Sequence, residues 1–252
     1  MIRLFVTIIA CGFASSISAA DPAAGMQVAQ ELKSTYAPSV TTRYQFFLPV
    51  EYGKTDQKWP LLVFLHGAGE SGDDLDKVKI HGPPKLVEKQ PGDFPFVVVS
   101  PQVLDDSVPL IDRWQPKFVA ELVEHVAGHY AVDRDRIYLT GLSMGGFGTI
   151  RTLAAYPDLF AAGAPVCGGG WDHYAKALKD VPMWFFHGDN DIGVPVELST
   201  GLVKAIRKQG GQPRLTIYEN VGHDSWTQTY ENPELYRWLL SHKLSDRPAK
   251  KK

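Results

Sequence analysis

The sequence predicts an α/β protein, with a mostly parallel central sheet and helices on both of its faces. Short apolar runs bounded by glycine or proline recur along the chain, which is typical of strands buried on both faces. Segments with apolar residues at helical spacing separate these runs, and such alternation favours a parallel sheet. The chain of 252 residues is long enough for one sizeable core.

The apolar runs and the helical spacings give the order of the elements. We predict strands over residues 43–48, 61–65, 96–99, 136–139, 160–166, 183–186 and 215–218. We predict helices over residues 118–126, 150–154 and 198–206, and a last helix from a proline at 233 to 240. Ligands of such sheets bind at the carboxyl ends of the strands, so functional residues are expected directly after them.

The first 20 residues have the pattern of a signal peptide. Arg3 supplies a positive charge, residues 4–13 are an apolar stretch too short to span a membrane, and residues 18–20 are small. We therefore expect export to the periplasm or the medium. An alternative stays open, because residues 8–11 resemble a lipobox whose Cys11 would be lipidated and would tether the mature protein.

The rest of the chain divides into three parts. Residues 21–40 show little periodicity and are predicted to be an N-terminal leader, residues 41–244 form the globular domain, and residues 245–252 form a basic, disordered tail. The formal net charge of −2 argues against nucleic acid or an anionic membrane surface as a partner. The partner we expect is a small or polymer-linked substrate, without stable membrane insertion.

A candidate nucleophile follows the strand predicted at 136–139. Residues 141–145 read Gly-Leu-Ser-Met-Gly, which matches the G-x-S-x-G motif between a strand and a helix. In this context the tight turn lifts the hydroxyl of Ser143 above the sheet, at a helix N-terminus whose dipole favours developing negative charge. The alternative is a glycine-rich turn with a capping serine. The strand–turn–helix context favours the nucleophile, and with it the α/β-hydrolase fold.

An oxyanion hole needs two N–H donors that are already in place. The backbone amide after the nucleophile belongs to Met144, and the second amide is expected from the loop after an earlier strand. The residues after the strand at 61–65 read His-Gly-Ala-Gly-Glu, and we assign Ala68 as that second donor. We expect the side chain of His66 to brace this loop and to have no part in the chemistry.

The acid and the base of a hydrolytic triad follow the serine in chain order. Asp189 and Asp191 both lie in the loop after the strand at 183–186, and we prefer Asp191 because Asp189 is close enough to the strand end to cap backbone amides. For the base we prefer His223 to His242, which falls in the predicted last helix.

The other candidate ligands and nucleophiles have simpler interpretations. His81, His125, His129 and His173 are expected at the surface or in satisfied core positions. No pair of histidines has convincing metal spacing, so we predict neither a metal nor another cofactor. Cys167 follows an apolar run and is expected to be a buried, unreactive thiol.

With these residues in place, three motifs carry a family resemblance. Residues 65–70, 140–148 and 222–226 resemble the corresponding motifs of bacterial exported esterases often labelled predicted peptidases. That group is similar to feruloyl and acetylxylan esterases and to polyhydroxybutyrate depolymerases, and the resemblance covers residues 43–242. It implies ester hydrolysis through an acyl-enzyme. It also implies that the H-G-x-x-D-x-x-V-P string from residue 187 holds the acid at Asp191.

The segment between the strand predicted at 160–166 and the strand that leads into the acid loop bears on the substrate. Residues 168–181 leave room for a loop and a short helix but not for a cap domain, so we expect an open site that suits acyl or feruloyl esters of carbohydrates or similar bulky alcohols. Trp226 is the candidate substrate-binding residue, ahead of Trp171 and Trp114, because aromatic faces pack against sugar rings and arenes. Two alternatives are a serine peptidase of the prolyl-oligopeptidase type and a catalytically silent binding module.

Overall fold

A computed structural model describes residues 22–104 and 109–247 of the chain. The predicted signal peptide, with Cys11, lies outside the described residues, as do residues 248–252 of the predicted tail. The described part contains a sheet of eight strands in the order β1-β2-β4-β3-β5-β6-β7-β8. Their bounds are β1 Gln27–Lys33, β2 Thr41–Phe47, β3 Trp59–Leu65, β4 Val97–Gln102, β5 Val132–Leu142, β6 Ala162–Val166, β7 Trp184–Gly188 and β8 Arg214–Tyr218.

The sheet is mostly parallel, as the sequence predicts. Strands β3 to β8 run parallel to one another, β2 is antiparallel to β4, and β1 is antiparallel to β2. All seven residues of β3 are buried because helices cover both faces of the sheet. The carboxyl ends of the parallel strands therefore meet at one edge of the sheet, where the candidate residues lie.

The described ranges also contain eight α-helices, which lie beside the sheet. They are α1 Gly82–Lys89, α2 Leu110–Arg113, α3 Pro116–His129, α4 Met144–Ala155, α5 Ala175–Leu178, α6 Glu197–Lys208, α7 Trp226–Glu231 and α8 Pro233–Leu240. Buried residues of α3, α4, α5 and α6 form a core with one face of the sheet, and those of α1, α7 and α8 form a second core with the other face. Alternate residues of β3 point into the two cores, which confirms the predicted α/β architecture.

The segment predicted to be a leader contains an edge strand. Strand β1 pairs along its whole length with β2, so the folded unit begins before Thr41, the predicted domain boundary. Most residues of β1 are polar, and none of them is fully buried. An exposed edge strand needs little apolar character, which is why periodicity did not identify it.

Two further segments have structure that the sequence did not predict. The connection between β3 and β4 contains a 3-10 helix, Leu75–Ile80, followed by α1, whose prolines lie in the first turn, where a helix tolerates them. The predicted tail is docked as far as Arg247, whose guanidinium donates to the backbone carbonyls of Pro157 and Phe160.

The end of β3 is fixed by the buried side chain of His66. Its Nδ1–H donates to the carbonyl oxygen of Gly67 at 2.6 Å, and its Nε2 accepts from the amide of Val103 at 3.1 Å. The indole Nε1–H of Trp114 donates to the carbonyl of His66 at 3.1 Å. As expected, His66 braces the loop. Burial lowers its pKa to about 4, which keeps it neutral near pH 7.

This buried neutral histidine predicts a specific loss of stability in acid. The folded-state pKa of His66 is about 4 and its ordinary value is 6.5, so the unfolded chain binds the extra proton between these pH values. The free energy of unfolding therefore falls as the pH is lowered through this window, by up to about 3 kcal/mol from His66 alone. Urea unfolding at pH 7 and at pH 4 measures that fall.

The control for this prediction is a second histidine substitution. His66→Asn should remove most of the extra fall in stability between pH 7 and pH 4, whereas His129→Asn, at an exposed position, should keep it. Equal pH dependence in the wild type and in His66→Asn would contradict the assignment.

Candidate active site

The turn between β5 and α4 holds Ser143 in a rare backbone conformation. Its φ is 52° and its ψ is −117°, which only a well-supported turn sustains in a residue other than glycine. The amide of Ser143 donates to the carbonyl of Val166 at 2.9 Å. A Cβ atom added at Gly145 would overlap the carbonyl oxygen of Leu65, so glycine is required where the start of α4 meets the end of β3.

The side chain of His223 lies between Ser143 and Asp191. Its Nε2 is 2.9 Å from Oγ of Ser143, and its Nδ1 is 2.7 Å from Oδ2 of Asp191. Because a carboxylate only accepts, Nδ1 carries the proton and Nε2 is free to accept from the serine hydroxyl. The side chain of His223 is 31% exposed whereas that of Asp191 is inaccessible, so the three hydrogen-bonded groups are accessible to solvent from the side of His223 and Ser143.

Asp191 is a buried carboxylate with several donors. Its side chain is inaccessible to solvent, and its Oδ1 accepts from the amides of Gly193 at 2.9 Å and Val194 at 2.8 Å. Burial by itself would raise the pKa of Asp191, but the hydrogen bonds from His223 and from these two amides lower it below its ordinary value. The carboxylate is therefore charged at neutral pH and faces His223.

The competing carboxylate, Asp189, lies elsewhere in the same loop. Asp189 is exposed, and its backbone amide donates to the carbonyl of Tyr218 at 3.1 Å. The structure thus brings Asp191, and not Asp189, to the imidazole of His223.

The two predicted oxyanion donors are the first residues of two helices. Met144 begins α4, and Ala68 begins a 3-10 helix, Ala68–Glu70, directly after the end of β3. The first amides of a helix have no acceptor within it, so both N–H groups are available to a ligand. The segments that lead into these two helices are in close contact. A Cβ atom added at Gly67, just before Ala68, would be 2.6 Å from the side chain of Leu142, just before Ser143.

Glu70 is a residue of this loop that the sequence did not single out. Its side chain is largely buried, and its Oε2 accepts from the amide of Gly67 at 2.9 Å. Its Oε1 lies 3.7 Å from Nε2 of His81. This carboxylate holds the peptide between His66 and Gly67, which is one residue before the peptide that carries the amide of Ala68. The only sequence signal is its position three residues after Gly67, which is the spacing of a capping box.

The three candidate tryptophans have different surroundings. The ring of Trp226 makes edge contacts with His223, at a centroid distance of 5.3 Å, and with His81 at 5.4 Å. Trp171 is exposed and lies 6.4 Å from the ring of Phe147 in α4. Trp114 is buried beneath the loop after β3 and does not reach the surface.

The remaining candidates lie away from the serine hydroxyl or are buried. Cys167 is a buried free thiol whose pKa is raised by burial, as expected for an unreactive group. His242 lies just after the end of α8, and not inside it, and its Nδ1–H donates to the carbonyl of Trp238. Among residues 22–104 and 109–247, no three His, Cys, Asp or Glu side chains are grouped to hold a metal ion.

The approach to the serine is not covered by a further domain in the described chain. Between β6 and β7 the structure has only a 3-10 helix, Asp172–Tyr174, and the short helix α5. Within the same described ranges, every helix falls short of the length and apolar character that a membrane crossing requires.

Solved structures with a similar fold include esterases as well as dipeptidyl and acylaminoacyl peptidases. A structure described as a thermostable esterase superposes with a TM-score of 0.73 at 35% identity, covering 86% of this chain and 63% of that one. A ferulic acid esterase superposes with a TM-score of 0.62 at 20% identity, covering 85% of this chain and 96% of that one. The second likeness concerns the fold alone.

A curated relative of similar sequence is a bifunctional acetylxylan esterase/xylanase of Neocallimastix patriciarum. It is 31% identical over 93 residues, which are 37% of this chain and 14% of the relative. The chain thus spans a small part of that relative and less than two thirds of the thermostable esterase.

The family model described as "Putative esterase" matches residues 37–225, which is three quarters of the chain and includes all the candidate catalytic residues. The chain therefore belongs to the Esterase family and has the α/β-hydrolase fold.

Proposed function

We propose that this protein is a serine hydrolase that cleaves carboxylic esters through a Ser143–His223–Asp191 triad. The observation that carries the proposal is the unbroken line of hydrogen bonds from the buried carboxylate to the serine hydroxyl. A silent binding module would have no need to keep a buried charge, an oriented imidazole and a strained serine together. Membership of the Esterase family supports ester hydrolysis over the alternatives.

The geometry supports a two-step mechanism. Nε2 of His223 takes the proton of Ser143 as the serine oxygen attacks the ester carbonyl. The carbonyl oxygen becomes an oxyanion that accepts from the amides of Ala68 and Met144. The imidazolium of His223, stabilised by Asp191, then gives its proton to the leaving alkoxide, and an acyl-enzyme remains.

Water completes the cycle by the same route. His223 takes a proton from the water as its oxygen attacks the acyl carbonyl of the acyl-enzyme. Collapse of the second tetrahedral intermediate breaks the bond to Ser143 Oγ, which takes the proton back from His223. The products are a carboxylic acid and an alcohol, and no cofactor is consumed.

The substrate class we propose is an acyl or feruloyl ester of a carbohydrate or a similarly bulky alcohol. The short connection between β6 and β7 leaves room beside the serine for a large alcohol. Trp171 is 44% exposed in that connection, and Ile192, next to Asp191, is 99% exposed. Such exposed apolar side chains beside a site suit the faces of sugar or aromatic rings. The acetylxylan and ferulic acid esterases among the similar proteins agree with this class.

Export remains part of the proposal, with a cleaved signal peptide over residues 1–20 or a lipidated Cys11 as the alternative. Trp226 is proposed to border the bound substrate next to His223, since its ring contacts the imidazole directly.

The first prediction of the proposed function concerns turnover. The mature protein should hydrolyse a short chromogenic acyl ester, and Ser143→Ala should lower kcat by at least about a thousandfold because the nucleophile is lost. A feruloyl sugar ester assayed in parallel tests the substrate class, and its kcat/KM should exceed that of the short ester. Residual wild-type activity in Ser143→Ala would rule out the nucleophile, and no activity of the wild type on either ester would favour a peptidase or a silent fold.

The second prediction separates the two carboxylates of the acid loop. Asp191→Asn should reduce kcat by about a thousandfold or more, because the amide cannot hold the productive tautomer of His223 or stabilise its charged form. Asp189→Asn, at an exposed position of the same loop, should stay within about threefold of the wild type. Initial rates on the chromogenic ester measure both variants, and a larger loss in Asp189→Asn would reverse the assignment.

A further inference from the structure

A second imidazole, that of His187, lies next to the carboxylate of Asp191, the proposed acid. His187 is near the end of β7 and is completely buried. Its Nε2 is 3.2 Å from Oδ2 of Asp191, the same oxygen that accepts from Nδ1 of His223 at 2.7 Å. The two histidines therefore meet at one carboxylate oxygen.

The neighbours of His187 determine which of its atoms carries a proton. Besides Asp191, its Nε2 faces the carbonyl oxygen of Val194 at 2.9 Å. Both neighbours are acceptors only, because Asp191 is charged, so Nε2 must carry a proton and donate it. The hydrogen bond from this N–H goes to the carbonyl of Val194, and the same N–H lies beside Oδ2 of Asp191, so His187 cannot serve there as a base.

The other side of the His187 ring is also held. Its Nδ1 lies 2.8 Å from Oγ of Ser199 in α6, and that hydroxyl lies 2.8 Å from the carbonyl oxygen of Gly168 after β6. The imidazole is therefore fixed between three segments of the fold and cannot turn away from Asp191.

The two oxygens of Asp191 differ in their support. Oδ1 accepts from the backbone amides of Gly193 and Val194, whereas Oδ2 accepts from His223 and lies beside the N–H of His187. His223 is partly exposed and has to exchange protons during turnover, so it cannot also anchor the carboxylate. His187 anchors the loop instead, because its Nε2–H donates to the carbonyl of Val194.

We propose, building on the proposed function, that His187 is a positioning residue for catalysis. Its Nε2–H holds the carbonyl of Val194, whose own amide donates to Oδ1 of Asp191, and so fixes the acid loop where Asp191 orients the imidazole of His223 toward Ser143. His187 does not touch the substrate. Because a displacement of about 1 Å in a catalytic group can cost about a hundredfold in rate, losing this donor should lower kcat without weakening substrate binding.

Two amide substitutions separate the contacts of the two ring nitrogens. In His187→Gln the amide nitrogen reaches about the position of Nε2, so it can still donate to the carbonyl of Val194. In His187→Asn the amide lies near the position of Nδ1, so it can bond Ser199 but does not reach Val194. Both variants are polar and neutral, which makes each a matched control for the other.

Steady-state kinetics on the chromogenic ester provide the test. We expect kcat of His187→Asn to fall by about 10- to 100-fold with KM within about threefold, and kcat of His187→Gln to stay within about threefold of the wild type. An equal loss in both variants, a loss confined to KM, or no loss in His187→Asn would overturn the proposal. Thermal unfolding of both variants shows whether each is folded.

A measurement on the wild-type protein keeps the proposal testable if a variant does not fold. Long-range ¹H–¹⁵N NMR of the histidine rings should show His187 protonated at Nε2, and a bare Nε2 would overturn the proposal. The outcome is separable from that of the proposed function. An inactive wild type would contradict the esterase, whereas an active wild type with an unaffected His187→Asn would contradict only the role of His187.

Discussion

The close approach of α4 to the end of β3 is the constraint on which the rest of the site depends. The backbone at Gly145 lies against the carbonyl of Leu65 so tightly that no side chain fits between them. This contact forces the turn before α4, and the turn imposes the positive φ of Ser143. The same approach places the start of α4 against the end of β3, from which the loop with Ala68 follows. One packing contact between two backbones thereby supports both the proposed nucleophile and the proposed oxyanion hole.

A buried negative charge imposes the second requirement. Asp191 is inaccessible to solvent, so its charge is tolerable only where donors surround it. Its donors come from its own loop and from the loop after β8, and the imidazole at the end of β7 lies beside it, so Asp191 is enclosed by three segments of the chain. The hydrogen bond between His223 and Asp191 therefore both stabilises the buried charge and orients the imidazole. The proposed role of His187 follows from this shared demand.

The sequence predicted most of this fold because its elements follow simple rules. Continuous apolar runs identified β2 to β8, and the G-x-S-x-G turn placed the start of α4. Strand β1 was missed because an edge strand can be polar, and α1 was missed because its prolines suggest a break in the chain. Glu70 and His187 could not be assigned from the sequence, since their partners are determined by which loops meet in three dimensions. Asp191 was preferred over Asp189 on loop position, and the geometry agrees with that choice.

The most direct measurement of the central claim is covalent labelling of the active serine. The full-length protein would be incubated with a fluorophosphonate and its peptides analysed by mass spectrometry. An activated Ser143 should carry the single phosphonyl adduct, because only a serine paired with His223 and facing an oxyanion hole reacts at an appreciable rate. No adduct, or an adduct at a different serine, would contradict the claim that the turn after β5 holds an activated nucleophile.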